Sequence, residues 1–254
     1  MMAAGAETLA APGDLTVLAT LPSPHPSPDG VAFDGQVLWV SDCESSRVFR
    51  LDPSNGQTVD WVDFSFMVDH LDHRGDHLWL SDHTNFYRAD VASLAITSQT
   101  AGPWATAMGV AEEGEGVWST DPAAKLIHKI DGSGQILATL PTPGSNPCGI
   151  AWDGRCLWVS DLTDKRYYQI DPADGSVELS FVAPPAAATT LPTGIAFYGD
   201  RVWVVDEDPD NPKIYEVAFE PVTEGPCALP VEPDPPDAGP PPSDDGPGAQ
   251  TADS

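Results

Sequence analysis

Gly149-Ile-Ala-Trp-Asp-Gly-Arg-Cys-Leu-Trp-Val-Ser-Asp161, with Tyr167-Tyr-Gln-Ile-Asp171 close behind, decides the fold of this chain. Gly149 to Trp152 is a short apolar run, Asp153-Gly154 is a strong hairpin signal, and Cys156 to Ser160 is a second β-rich run. A polar break at Asp161 to Lys165 precedes a third run at Tyr167 to Ile170. The same stretch recurs along the chain. Gly30-Val-Ala-Phe-Asp-Gly leads to Leu38-Trp-Val-Ser-Asp42, Gly109-Val-Ala-Glu-Glu-Gly to Val117-Trp-Ser-Thr-Asp121, and Gly194-Ile-Ala-Phe-Tyr-Gly to Val202-Trp-Val-Val-Asp206. A degenerate copy, His70-Leu-Asp-His-Arg-Gly, leads to Leu78-Trp-Leu-Ser-Asp82. A repeat of roughly 40 residues built from short strands predicts an all-β protein, a five-bladed β-propeller with one four-stranded blade per repeat.

Leu15-Thr-Val-Leu-Ala-Thr-Leu-Pro22 nearly duplicates Ile136-Leu-Ala-Thr-Leu-Pro141, the fourth strand of the third repeat. The fifth repeat has no such strand after Ile214 to Phe219, so the N-terminal strand is expected to complete the last blade and close the ring, which removes open strand edges. The expected blades are 30–64, 68–100, 107–141, 147–183, and 192–219 joined by 15–22. The propeller then covers 15–219, between a flexible 1–14 and a disordered Pro- and Asp-rich tail, 220–254.

Charge narrows the partners. Asp and Glu total 39 against 11 Lys and Arg, a formal net charge of -28. Such a surface repels phosphate backbones and anionic lipid, so neither nucleic acid nor membrane is an expected partner; a small-molecule ligand and a monomer are. The same acidity also suits a saline habitat, where net charge preserves solubility. Met1 to Pro12 has neither a basic region nor a long apolar core, which reads as cytoplasmic unless a leader has been removed. The chain's four cysteines form no Cys-x-x-Cys pair. Cys156 follows a lower hairpin and Cys227 follows the last strand of blade 5, so the placement allows a disulfide between them; Cys43 and Cys148 fall at the opposite end.

Two positions recur in all five repeats. Trp39, Trp79, Trp118, Trp158 and Trp203 are expected to fill the gaps between blades. Asp42, Asp82, Asp121, Asp161 and Asp206 end the second strands, either as acceptors for backbone amides or as a carboxylate ring open to a cation.

On a symmetric scaffold, function shows as departure from symmetry, and blade 2 departs most. His70-Leu71-Asp72, preceded by Asp69, stands where other blades have Gly-Val/Ile-Ala, and His83 follows Asp82. Asp69, His70, Asp82 and His83 fall at one end of the blade, and Asp72 shares a strand face with His70. Two imidazoles and several carboxylates suit a divalent metal of undetermined identity, or a His general base oriented by a carboxylate; the alternative is that these are solvated residues of an acidic protein. Metal ligands are therefore expected among Asp69, His70, Asp72, Asp82 and His83, and catalytic roles at His70 and His83.

The repeated Gly-Ile/Val-Ala-x-Asp-Gly-x-x-Leu-Trp-Val-Ser-Asp pattern resembles the streptogramin-lyase, NHL and SMP-30-like group of propellers over 15–219. That resemblance implies the architecture but not one activity, since the group includes lyases, lactonases, phosphotriesterases and binding modules. Several of its enzymes hold a divalent cation at the channel mouth, which His70, His83, Asp69 and Asp82 match in position. Size and blade count also resemble the plant-type glutaminyl cyclases, but Asp29-Gly30, Asp69-His70, Met108-Gly109 and Cys148-Gly149 stand where those have glutamates. The expected function is a metal-assisted hydrolase or lyase acting on a small molecule at the upper channel mouth, on the blade 2 side. The rival is a non-catalytic ligand-binding or protein-interaction propeller, lectin-like or a scaffold.

Overall fold

In the computed structural model, which describes residues 15–199, 201–219 and 225–228, twenty strands form five four-stranded antiparallel sheets. The chain opens with β1 (Leu15–Pro22). Blade 1 comprises β2 (Pro28–Phe33), β3 (Leu38–Asp42), β4 (Arg47–Leu51) and β5 (Thr58–Asp63). Blade 2 comprises β6 (Leu71–Arg74), β7 (His77–Ser81), β8 (Asn85–Asp90) and β9 (Ile96–Ala101). Blade 3 follows with β10 (Ala111–Glu113), β11 (Gly116–Asp121), β12 (Leu126–Asp131) and β13 (Ile136–Pro141), and blade 4 with β14 (Pro147–Trp152), β15 (Leu157–Asp161), β16 (Arg166–Ile170) and β17 (Val177–Val182). In blade 5, β18 (Pro192–Tyr198), β19 (Arg201–Asp206) and β20 (Lys213–Phe219) are completed by β1, which pairs antiparallel with β20 from Leu15↔Phe219 to Pro22↔Lys213. The five-bladed ring is thus closed by the N-terminal strand. Residues 1–14 and most of the 220–254 tail lie outside the described residues. No described residue is helical, and no helix long enough to cross a membrane is present among them.

The repeat's residues each do a packing job. Each recurrent Trp fills the seam with the next blade: Trp203 packs with Val31 and Phe33 of blade 1, Trp39 with Leu71 and Leu80 of blade 2, Trp118 with Ile150 and Val159 of blade 4, and Trp158 with Ile195 and Val204 of blade 5. Trp79 covers Val117 and Ile130 of blade 3. The recurrent Asp builds turns rather than an open ring. Asp42 accepts from the Ser27 and Ser45 amides at 3.0 and 2.7 Å, and Asp161 from Asn146, Thr163 and Asp164 at 2.7 to 2.9 Å. Asp206 accepts from Leu191 at 2.7 Å and Asp121 from Ala124 at 3.0 Å.

The hydroxyl before that Asp is an inter-blade strap. Ser41 Oγ accepts the Gly30 amide at 2.8 Å and donates to the Asp69 carbonyl at 2.7 Å; Ser81 Oγ reaches the Met108 carbonyl at 2.6 Å. Thr120 Oγ1 donates to the Cys148 carbonyl at 2.5 Å, and Ser160 Oγ to the Thr193 carbonyl at 2.6 Å. Each strap fixes the backbone of a residue at the rim where the inner strands begin, here called the upper end. Glycine at the inner position permits this approach: a Cβ on Gly30 would lie 2.6 Å from His70 Cα, and one on Gly149 would overlap the Thr193 carbonyl. At the lower end, Cys156 and Cys227 form a disulfide with Cα atoms 5.5 Å apart, which ties the segment after β20 to blade 4.

Candidate functional site

The upper rim carries one residue from each blade just before the inner-position residue: Asp29, Asp69, Met108, Cys148 and Thr193. Only in blade 2 does the inner position carry a side chain, because His70 replaces glycine there. With no Gly-to-backbone contact between blades 2 and 3, the imidazole turns into the channel and crosses toward blade 4. His70 Nε2 lies 3.5 Å from Cys148 Sγ and 3.6 Å from Asp29 Oδ1. These three residues are 2, 1 and 6 % exposed, and one ligand atom of each lies within 4.8 Å of the others. Among the described residues this is the one place where three such groups converge.

A second layer surrounds them. His83, held in the left-handed region with φ 73°, places Nε2 2.8 Å from Asp69 Oδ2, a contact of ion-pair length without the alignment of a good hydrogen bond. Asp69 and Asp29 carboxyl groups are within hydrogen-bonding reach of each other. Cys43 and Glu207, the residues that follow Asp42 and Asp206, close the side facing blades 1 and 5. Neither Asp29 Oδ1 nor Asp69 Oδ2 has a well-aligned donor, but Asp69 is paired with His83, which leaves Asp29 Oδ1 the less well matched of the two.

The groups push one another's protonation apart. Burial, then the negative charges of Asp69 and Glu207, raises Asp29 well above the ordinary carboxylate range. Burial also presses on Asp69, but the His83 contact and the nearby imidazole charges outweigh it and hold Asp69 low. Burial lowers His70, and the Asp69 contact raises His83. Glu207 is pushed up to about 7, by burial first and then by Asp69 and Asp42. Asp29 is thus pushed toward its neutral form and Asp69 toward its ionised form, while His70 is pushed toward the neutral imidazole and His83 toward the cation. Separation of neighbouring titratable groups into donor and acceptor states is what acid–base chemistry requires.

Of the five residues expected from sequence, Asp69, His70 and His83 come together and two do not. Asp82 turns into its own loop, where its carboxylate accepts from the Thr84 and Asn85 amides at 3.0 and 2.7 Å and from the Tyr87 hydroxyl at 2.5 Å. Asp72 faces the channel two residues below His70, where Oδ2 accepts the Glu112 amide at 2.7 Å and lies 3.4 Å from Arg74 Nε. The site also extends beyond blade 2 to Asp29, Cys148, Cys43 and Glu207. Aligning the repeats on the glycine hid these residues; the columns immediately before the glycine and after the recurrent Asp would have found them. The His77 ring is also engaged, buried against Glu112 with Nε2 3.0 Å from Oε2.

No protein-family model matches the chain, and no curated protein matches it in sequence. Solved structures do. Glutaminyl cyclase of Myxococcus xanthus superposes with TM-score 0.69 at 13% identity, covering 83% of this chain and 99% of that one. A streptogramin B lyase gives 0.51 at 13% identity, with 82% and 98% covered. The calcium-binding protein regucalcin of Agrobacterium tumefaciens gives 0.56 at 13% identity, with 80% and 96% covered. The likeness places the chain among β-propellers that include enzymes; at these identities it shows the fold alone.

Proposed function

We propose that the upper mouth is the active site of a metal-assisted enzyme acting on a small molecule, a hydrolase or a lyase. The observation that carries this reading is the convergence of buried Asp29, His70 and Cys148 beside the His83–Asp69 ion pair, with Asp29 Oδ1 lacking an aligned donor. The recurrent turn carboxylates Asp42 and Asp161, by contrast, each accept hydrogen bonds from backbone amides. A cation held at His70 would supply charge stabilisation to an oxygen of the substrate. The chain's own residues handle the proton. His83 is 38% exposed at the mouth, and Asp69 behind it orients the ring and stabilises its cationic form, a His–carboxylate pair able to give or take a proton in hydrolysis or in elimination. The similar structures include a cyclase, a lyase and a calcium-binding protein, which favours an enzyme without choosing its reaction.

The test uses chelator-treated protein reloaded with divalent metals and offered lactones, carboxylic esters, phosphotriesters and cyclic esters prone to elimination. Metal-dependent turnover is expected, reduced about 10²- to 10⁴-fold in His83→Gln with metal still bound, and lost together with the metal in His70→Ala. If both variants retain metal and turn over like the parent, or if no turnover depends on metal, the binding-propeller reading replaces this one.

A further inference from the structure

We propose that Asp29, His70 and Cys148 form a three-ligand site for a thiophilic divalent cation of the zinc class, with its fourth position open to the mouth. This deepens the metal-assisted reading above and rests on it only for the use made of the ion.

Two of the three ligand-atom separations match a tetrahedral site, and the third is within 4.8 Å. Zinc bonds to nitrogen and oxygen of about 2.0–2.2 Å and to sulfur of about 2.3 Å place neighbouring ligand atoms roughly 3.3–3.8 Å apart. His70 Nε2 stands 3.6 Å from Asp29 Oδ1 and 3.5 Å from Cys148 Sγ, so two edges of that tetrahedron already exist. The ligands come from three blades, and the repeat's own straps hold the segments that carry them. Thr120 Oγ1 at 2.5 Å and the Gly109 amide at 3.1 Å bind the Cys148 carbonyl, and Ser41 bridges the Gly30 amide to the Asp69 carbonyl. Three protein ligands with one open position is the arrangement of catalytic rather than structural zinc.

Ligand chemistry selects the ion. Calcium and magnesium require six or more oxygen ligands or retained waters; one carboxylate, one imidazole and one thiol suit zinc and its borderline-soft neighbours. A thiol–imidazole hydrogen bond accounts for the 3.5 Å contact alone, whereas a cation would engage His70, Cys148 and the Asp29 Oδ1 that lacks an aligned donor together. The chain has four cysteines and two form the disulfide, so a thiolate ligand is either Cys148 or Cys43, and Cys43 Sγ turns toward the Ser27 carbonyl at 3.8 Å.

Chelator-treated full-length protein titrated with Co²⁺ and Zn²⁺ tests the assignment. One ion per chain is expected, with a thiolate-to-cobalt charge-transfer band that Zn²⁺ abolishes and a large excess of Ca²⁺ does not. The band should disappear in Cys148→Ser and persist in Cys43→Ser. Zinc affinity should fall in Cys148→Ser by more than the roughly 10–100-fold that loss of an outer-shell partner costs. The band and the calcium competition are read on the unaltered protein, so a variant that fails to fold leaves the test intact. No bound ion, a bound ion without the band, displacement by Ca²⁺, or a band that survives in Cys148→Ser each overturns the site. Metal-dependent turnover without the band would overturn this ligand set while leaving the enzyme reading standing. A band without turnover of any substrate would do the reverse.

Discussion

The inner segment of blade 2 reaches across the channel at both ends, and the two crossings end differently. At the lower end Arg74 Nη2 donates to the Trp152 carbonyl of blade 4 at 2.8 Å, while Nε lies 3.4 Å from Asp72. Nearby His77 lies between two carboxylates, Nε2 3.0 Å from Glu112 Oε2 and Nδ1 2.9 Å from Asp76 Oδ1, with Arg88 Nη2 2.8 Å from Nδ1. Opposite charges there face one another within the protein, although Arg74 Nε itself has no aligned acceptor. At the upper end His70 makes the same crossing to blade 4 and meets a thiol and a carboxyl oxygen without an aligned donor. Residues 70, 72 and 74 share one strand face, so a single alternation delivers both ends. The difference teaches where to look for function: a polar crossing closed on itself is architecture, and one left open to a missing partner is a site.

The change that destroys both ends is opening the ring. Deleting residues 1–24 removes β1, strips the outer strand from blade 5 and exposes β20 along the whole Leu15↔Phe219 to Pro22↔Lys213 register. Loss of cooperative unfolding, or aggregation, is expected by calorimetry. A stable, monomeric truncation would refute closure by the N-terminal strand.

Next in size is the asymmetry between the two crossings. Arg74→Ala leaves Asp72 without its counter-charge and releases the Trp152 carbonyl, and should cost about 3 kcal/mol, the low end for a broken buried pair because the guanidinium is 30% exposed. His70→Ala in metal-free protein should cost no more than about 1 kcal/mol, because the imidazole's partners there are poorly aligned. Urea denaturation of both variants compares the ends directly; equal losses would erase the distinction.

Adding the ion should then move only the upper end. At a free zinc concentration about 100 times the dissociation constant, the parent gains about 2.7 kcal/mol against unfolding, and Arg74→Ala gains the same while His70→Ala gains nothing. Thermal melts with and without zinc read this. Stabilisation of His70→Ala by zinc would locate the ion elsewhere.

Much of this was legible in the sequence. The Gly-x-Ala…Trp-x-Ser-Asp repeat dictated blades, seams and turns because each residue type answers a backbone or packing need that recurs in every blade. Leu15 to Pro22 betrayed its place by copying Ile136 to Pro141. His70 stood out because a side chain replaced glycine at a crowded position, and its neighbours Asp69 and His83 came with it. Asp29, Cys148 and Glu207 were harder to see because their columns vary from blade to blade and share no residue type. Asp82 misled for a physical reason: sequence places it beside His83, but its carboxylate is committed to the Thr84 and Asn85 amides, the same use the other blades make of theirs.

The smallest expected effect lies midway between the two ends, at Asp72. Burial raises its pKa to about 6, with Arg74 and the Glu112 amide opposing the rise. An unfolded aspartate titrates near 3.9, so between about pH 4 and 6 the folded protein keeps a proton that the unfolded chain has lost. Stability from this group is therefore fully present below about pH 4 and declines as pH rises through 6, the reverse of an ordinary salt-bridged carboxylate. Asp72→Asn retains an oxygen for the Glu112 amide and removes the buried charge. At pH 7.5 the metal-free variant should be more stable than the parent by on the order of 1–2 kcal/mol, a figure reduced from the full pKa difference for the part of the carboxylate that still meets solvent. Its decline between pH 4 and 6 should also be shallower. Urea denaturation across pH 4 to 8 measures both. A variant less stable than the parent at pH 7.5 would mean that the Arg74 attraction exceeds the cost of burying the charge, and that the lower crossing is held by a net favourable ion pair rather than by hydrogen bonds to the backbone.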